Sequence, residues 1–111
     1  MEVLIVGAGI AGLSTAIALS KIGMKCHVID REFRPVGANT ALNGQAVRAL
    51  DKLGVLERTV AEGKVADEMA FARLVDRNGD RFPPGPSQPE ELTGLPVSIS
   101  IFRPNLANIM L

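Results

Sequence analysis

Hydrophobic positions along this chain change period several times, and each change predicts an element. The run "EVLIV" from Glu2 is short and largely β-branched, ends at Gly7, and predicts a buried strand. After Gly12 the apolar residues Leu13, Ala16, Ile17 and Leu19 recur at helical spacing, and "SKIGMK" supplies a basic residue and Gly23 as a stop. "CHVID" is a second β-branched run, so residues 2–30 predict a βαβ unit with a parallel strand pair. "REFRPVGANTALN" reads as a loop. "GQAVRALDKLGVLERTVAEG" returns to the helical period through Val47, Leu50 and Leu53, with Gly54 placed to end one helix and Leu56–Ala61 to form a further turn or two.

The second half is shorter in period. "MAFARLVDRNGDRF" predicts a hairpin around Asn78-Gly79, a pair suited to a two-residue type I′ turn. Five of the seven prolines lie between Pro83 and Pro96, which predicts an exposed loop. "VSISIF" predicts a strand, and "RPNLANIML" a helix with Pro104 in its first turn and Leu106, Ile109 and Met110 on an apolar face. The fold class expected is therefore α/β, Rossmann-like.

Residues 3–20 carry no charge, the length of a marginal membrane span, which makes the opening stretch ambiguous on hydropathy alone. The flanks argue against a signal or anchor. Glu2 is the only charged side chain before the run, where a signal needs basic residues, and three glycines fall within the six residues from Gly7 to Gly12. A soluble chain without a membrane span is expected. Twelve basic and twelve acidic residues cancel without blocks of one sign, so neither nucleic acid nor an anionic membrane is expected as a partner. The mean hydropathy of +0.22 is high for a small free-standing domain.

Cys26, the single cysteine, cannot form an internal disulfide, and its place in a strand predicts a buried, inert thiol in a reducing, cytoplasmic setting. His27 has no second histidine to share a metal, so no metal site is expected and His27 is placed on a solvent-facing strand position.

"GAGIAG" fits G-x-G-x-x-G, and its context strengthens that weak signal. It follows a predicted strand, opens a predicted helix, and Asp30 ends the next strand 18 positions after Gly12. Each residue of the motif has a physical task. Gly7 permits the tight turn, Gly9 lets a pyrophosphate approach backbone, and Gly12 lets helix and strand pack closely. The helix start through Ala8, Ile10 and Ala11 offers unpaired N–H groups and a partial positive charge to phosphates. Asp30 is placed to accept hydrogen bonds from ribose hydroxyls. Arg31 could flank the adenosine, and an acid at position 30 disfavours a 2′-phosphate; Arg31 and Arg34 read equally well as solvated surface charges.

Four blocks, "VLIVGAGIAGLSTAIALSKIGMKCHVIDR", "RPVGA", "AVRALDKLGVLE" and "SISIFRPNLANIML", together resemble the start of a class A FAD-dependent monooxygenase of the para-hydroxybenzoate hydroxylase type. The first block is shared by many FAD and NAD proteins; the later ones are more specific. The resemblance implies a Rossmann-like FAD-binding fold of the glutathione reductase type, incomplete here. Residues 1–66 would bind the ADP moiety, 67–101 would supply the first strands of a substrate-side sheet with their partners absent, and 102–111 would begin a helix returning to the FAD domain. It implies that Gly7, Gly9 and Gly12 hold the FAD pyrophosphate, Asp30 the ribose, and Arg31 the adenosine side. Gly37 and Ala38 would pass near the flavin end, and Arg103 would point at the cofactor. Gly44 stands where many relatives favour proline or another turn former, so helix entry there would differ.

The family likeness further implies a complete enzyme in which NAD(P)H serves as transient reductant and an aromatic or related small substrate is hydroxylated, the cofactor carrying the chemistry. Family members are several times longer and carry a Gly-Asp flavin-contact segment that these 111 residues lack, so a missing C-terminal portion of the same protein is expected. No residue here qualifies as a general acid or base. Two alternatives stand beside this reading. An NAD-binding Rossmann dehydrogenase fragment would share the glycine turn and Asp30 but leaves "RPVGA" and the Arg103 block without a purpose. An inactive remnant would fold poorly or bind a partner through its uncovered apolar faces.

Overall fold

The computed structural model describes residues 1–34, 36–66, 75–80 and 94–111. Its elements run β1 (Glu2–Val6), α1 (Ile10–Lys21), β2 (Lys25–Ile29), β3 (Asn39–Asn43), α2 (Gln45–Leu53), α3 (Leu56–Glu62), β4 (Lys64–Ala66), β5 (Ser98–Phe102) and α4 (Arg103–Met110). The α/β class and the opening βαβ unit are as the periodicity predicts. β1 and β2 pair in parallel with Val3 opposite Cys26 and Val6 opposite Ile29, and α1 joins them. Helix α1 starts two residues earlier than Gly12, at Ile10, and ends where Gly23 takes a φ of +82°.

A second sheet is antiparallel, in the order β3-β5-β4. Here three expectations need correction. Residues 39–43, expected as loop, form a strand, because β5 offers them a full ladder from Asn39–Phe102 to Asn43–Ser98. β5, expected to lack its partners, is the centre of this sheet and pairs on its other side with Lys64–Ala66. Residues from 1–66 and from 67–101 thus share one sheet.

The third correction concerns burial of β1. Leu4 and Val6 are 62% and 79% exposed, since α1 covers only one face of the parallel pair among the described residues. The core lies elsewhere. It gathers Ile99 and Ile101 of β5, Leu106, Ala107, Ile109 and Met110 of α4, Val47 and Leu50 of α2, Val55, Leu56 and Leu13. The expected apolar face of α4 is therefore packed against α1, α3 and β5.

Local chemistry explains the joints. Gly54 takes the left-handed conformation (φ +80°, ψ +21°) that closes α2, as its position predicts. Gly44 precedes α2 at φ +46°, ψ −113°, a backbone that proline cannot adopt. The Lys21 ammonium donates to the Lys52 carbonyl (2.7 Å) and joins the C-terminal ends of α1 and α2. Arg58 Nη1 donates to the Ile109 carbonyl (3.2 Å) and satisfies the end of α4. Thr59, fully buried, donates its hydroxyl to the Val55 carbonyl at 2.8 Å. Cys26 lies on β2 as expected but is half-buried rather than buried, and the exposed His27 faces Glu2 at 3.5 Å.

Around Asn78-Gly79 the turn differs from type I′. Only Gly79 has positive φ (+86°), and the loop is closed by Asp76 N–H to Asp80 O (2.8 Å) and Gly79 N–H to Asp76 O (3.0 Å). Asp76 Oδ1 also accepts the Asn78 and Asp80 N–H groups, which favours this longer loop with a left-handed glycine over the two-residue turn. The flanking strand positions 69–74 and 81–82 and the proline-rich loop from 83 to 93 lie outside the described residues.

A nucleotide-type cleft at the start of the first helix

The site begins with the β1–α1 turn. Gly7 has φ +112°, open to glycine and strained for other residues, and its N–H donates to the Ile29 carbonyl at 2.7 Å. Gly12 explains the close approach of α1 to β1: a Cβ there would overlap the Gly7 carbonyl oxygen. Gly9 has an ordinary extended backbone (φ −76°, ψ 178°), and a Cβ on it would meet nothing within 4 Å. A side chain there would therefore project into open space and would not disturb the packing of the fold.

The first intrahelical bond of α1 runs from Leu13 N–H to Gly9 O (2.9 Å), and no side chain caps the helix. The N–H groups of Ile10, Ala11 and Gly12 consequently have no hydrogen-bond partner among the described residues. They present an anion-seeking helix end beside Gly9.

Asp30 closes the turn from the side of β2. Its Oδ2 accepts the Ala8 N–H at 2.6 Å and its Oδ1 accepts the Glu32 N–H at 3.2 Å. The Ala8 bond leads in holding its carboxyl below the ordinary value of 3.8, followed by the Glu32 N–H; desolvation opposes them, and the Arg31 N–H and guanidinium add lesser lowering. The carboxylate is thus ionised and fixed, with lone pairs left for further donors.

A cleft of about 340 Å³ opens over this turn. Of the residues expected at the site, Ala8, Gly9, Ile10, Asp30, Arg31 and Arg103 line it. Gly7, Ala11, Gly12, Gly37 and Ala38 do not. Ala38 O accepts the Arg103 N–H at 3.0 Å, which extends the β3–β5 ladder by one bond and brings α4 to the cleft. Arg103 is the first residue of α4, and Ala107 and Leu111, one and two turns on, line the cleft with it.

Sequence reasoning missed Glu32, Phe33, Val36, Ala107 and Leu111 as lining residues, and Arg34 joins them. The only signal for α4 was the i, i+4, i+8 spacing from Arg103; Phe33 and Val36 had none beyond their closeness to Asp30. Three cations (Arg31, Arg34, Arg103) against two anions (Asp30, Glu32) give the lining a net positive charge. Among the described residues no group of three or more His, Cys, Asp or Glu is arranged to hold a metal, and no helix is long and apolar enough to cross a membrane.

A cleft of mixed polar and apolar lining with a bare glycine, free helix N–H groups, one fixed carboxylate and nearby arginines has the chemistry of a site for a dinucleotide. Known proteins give that geometry a family. The chain is 43% identical over 65 residues, 57% of its length, to the FAD-dependent monooxygenase pynG of Aspergillus niger, of which it covers 15%. It is 41% identical over 73 residues, 64% of its length, to an FAD-dependent urate hydroxylase of Mycolicibacterium vanbaalenii, of which it covers 18%. It superposes on an HpxO variant of Klebsiella pneumoniae complexed with FAD with a TM-score of 0.76 and 28% identity, over 100% of this chain and 28% of that one. The chain thus spans less than a fifth of the length of these two curated relatives. The family described as "FAD binding domain" matches residues 1–99. By fold, turn and match together, this chain belongs to the FAD binding domain family.

Proposed function

We propose that the cleft holds the ADP part of FAD and that the chain is the cofactor-binding part of an NAD(P)H-dependent flavoprotein monooxygenase, acting on an aromatic or related small organic substrate. The observation that carries this is the juxtaposition, in one cleft, of the Asp30 carboxylate, tied to the Ala8 N–H at 2.6 Å, with bare Gly9 and with Ile10, whose N–H is unpartnered among the described residues. The fit is specific to a nucleotide. Gly9 leaves backbone bare where a side chain would intrude, the N–H groups and Arg103 suit a pyrophosphate, and Asp30 suits a pair of ribose hydroxyls. The exposed side chains of Phe33 and Val36 offer an apolar wall to a base.

When bound, FAD supplies hydride acceptance and oxygen chemistry that no side chain can. The chain's own residues bind and orient. Asp30 holds the turn and the ribose, Gly7 and Gly12 set the approach of α1 to β1, and Arg31 and Arg103 balance phosphate charge. The relatives' names support oxidation of small heterocycles such as urate as the activity of a whole enzyme. The lone, half-buried thiol of Cys26 suits a cytoplasmic setting. Membership in the FAD family removes the ground for the NAD-dehydrogenase alternative.

The experiment is a titration of the purified chain with FAD, followed by flavin fluorescence, with ADP and NAD as competitors. Saturable FAD binding that ADP competes away is expected, with NAD, which carries the same ADP moiety, competing no better than ADP. Binding of NAD with none of FAD would overturn the reading.

A further inference from the structure

We propose that Gly37 is a positioning residue: it seats the stem of Arg103 and thereby sets the guanidinium at the nucleotide cleft. The inference rests on the reading of the cleft as a nucleotide site. Gly37 does not line the cleft, so its role is not direct contact with the ligand. Its backbone has φ +140°, a conformation that L side chains rarely adopt. The three atoms nearest to a Cβ built on it all belong to one residue. A Cβ there would lie 3.1 Å from Arg103 Cδ, 3.2 Å from Arg103 Cβ and 3.4 Å from Arg103 Nε. All three neighbours belong to the arginine side chain.

The backbone locks this arrangement. The next residue, Ala38, accepts the Arg103 N–H at 3.0 Å, and the ladder continues with Asn39 opposite Phe102. The β3–β5 register therefore sets Ala38 opposite Arg103 and Gly37 one position on, beside the arginine stem, where a Cβ would press the stem aside by a few tenths of an ångström. The Arg103 guanidinium itself has no hydrogen bond or ion pair among the described residues. Its direction is accordingly set by what its stem packs on. An arginine carries many rotamers, and one seated in advance gives up less freedom when it meets an anion.

The test uses Gly37→Ala, Arg103→Ala and the double variant of the full chain. Two quantities are read: FAD affinity by flavin fluorescence, and the Arg103 Nε–Hε resonance of the nucleotide-free protein, assigned by its loss in Arg103→Ala. Seating predicts that Gly37→Ala moves the Nε–Hε resonance while the amides of Ile99 and Ile101 stay in place. It predicts that each single variant weakens FAD about tenfold, the scale of a charge-assisted contact, and that the double variant is no weaker than Arg103→Ala alone. An unmoved Nε–Hε resonance, or losses that multiply in the double variant, would overturn it. If Gly37→Ala does not fold, the contact is read from its other side. Arg103→Ala should shift the Gly37 amide and Arg103→Lys, which keeps the inner stem, should not; equal shifts overturn the proposal. A chain that binds no FAD yet shows the moved resonance would sink the cofactor reading and leave the seating intact.

Discussion

Replacing Gly12 with alanine sets two effects of opposite sign against each other. Gly12 lies inside α1, where alanine is the better helix former by about 1 kcal/mol. On propensity alone the variant would be more stable. The packing says otherwise. The new methyl would overlap the Gly7 carbonyl oxygen and lie 3.1 Å from the Gly7 carbonyl carbon and 3.4 Å from Ile5 Cγ2. The oxygen belongs to backbone whose own N–H is bound to Ile29 O at 2.7 Å, so it cannot swing aside like a side-chain tip. Restoring a van der Waals distance requires the start of α1 to move from β1 by roughly 1 Å or more, which places the cost at or above the upper end of the ~1–3 kcal/mol typical of overpacking. The clash wins by about 2 kcal/mol or more, a melting temperature lower by about 8 °C or more for a chain of this size.

Gly9→Ala is the matched control. It adds the same methyl in open space on an extended backbone that alanine adopts, so stability should change by less than about 0.5 kcal/mol. It should nonetheless weaken FAD at least about tenfold, because the methyl occupies the approach of the pyrophosphate. Thermal denaturation followed by circular dichroism, paired with flavin titration, separates the two glycines. A Gly12→Ala protein as stable as the parent would refute the close-approach argument, and a Gly9→Ala protein that binds FAD normally would refute the bare-backbone argument.

Asp30→Ala should loosen the turn and remove the ribose acceptor, weakening FAD about tenfold in the same titration; unchanged affinity would show that the carboxylate does not hold the ribose. The carboxyl of Asp30 is held below 3.8, so its contribution is present above that ordinary value and lost as pH falls through the lower folded one. FAD affinity should therefore show no step attributable to Asp30 between pH 8 and pH 5, as comparison with Asp30→Asn across that range would reveal. Ile99→Ala should cost about 2–5 kcal/mol by chemical denaturation, because Ile99 is 0% exposed at the centre of the β3-β5-β4 sheet; a loss under 1 kcal/mol would mean that β5 is not central.

Sequence reading succeeded where local chemistry decides the structure. Gly7, Gly12 and Gly54 mark a turn, a close approach and a helix end, and Pro104 marks the first turn of α4, each through a constraint carried by the residue itself. It failed where a distant partner decides. "NTALN" has little of a strand's own pattern, and becomes β3 because Ser98–Phe102, remote in sequence, offers the ladder. "VLIV" reads as buried on both faces, yet burial depends on what is packed against each side, and the outward face of β1 is open among the described residues. At Asn78-Gly79 the dipeptide rule lost to Asp76, whose carboxylate captures two N–H groups and fixes a longer loop.

The candidate site divides in the same way. The motif residues from Gly7 to Gly12 and Asp30 have fixed roles along one βαβ unit, and the structure brings Ala8, Gly9, Ile10 and Asp30 into one cleft. Phe33, Val36, Ala107 and Leu111 enter the cleft through loop path and helix face, which no motif encodes. Gly37 was expected near the cofactor, and the structure places it against Arg103, a relation visible only once β3 and β5 are in register.

The central claim is that FAD lies over the β1–α1 turn with its ribose at Asp30 and its phosphates at the start of α1. Adding FAD to the nitrogen-15-labelled chain and mapping amide shifts tests it most directly. The largest changes are expected at Ala8–Gly12, Asp30–Phe33 and Arg103, with α2 and α3 unaffected. Saturable binding whose shifts fall on α2 and α3 and leave Gly9, Ile10 and Asp30 in place would contradict it.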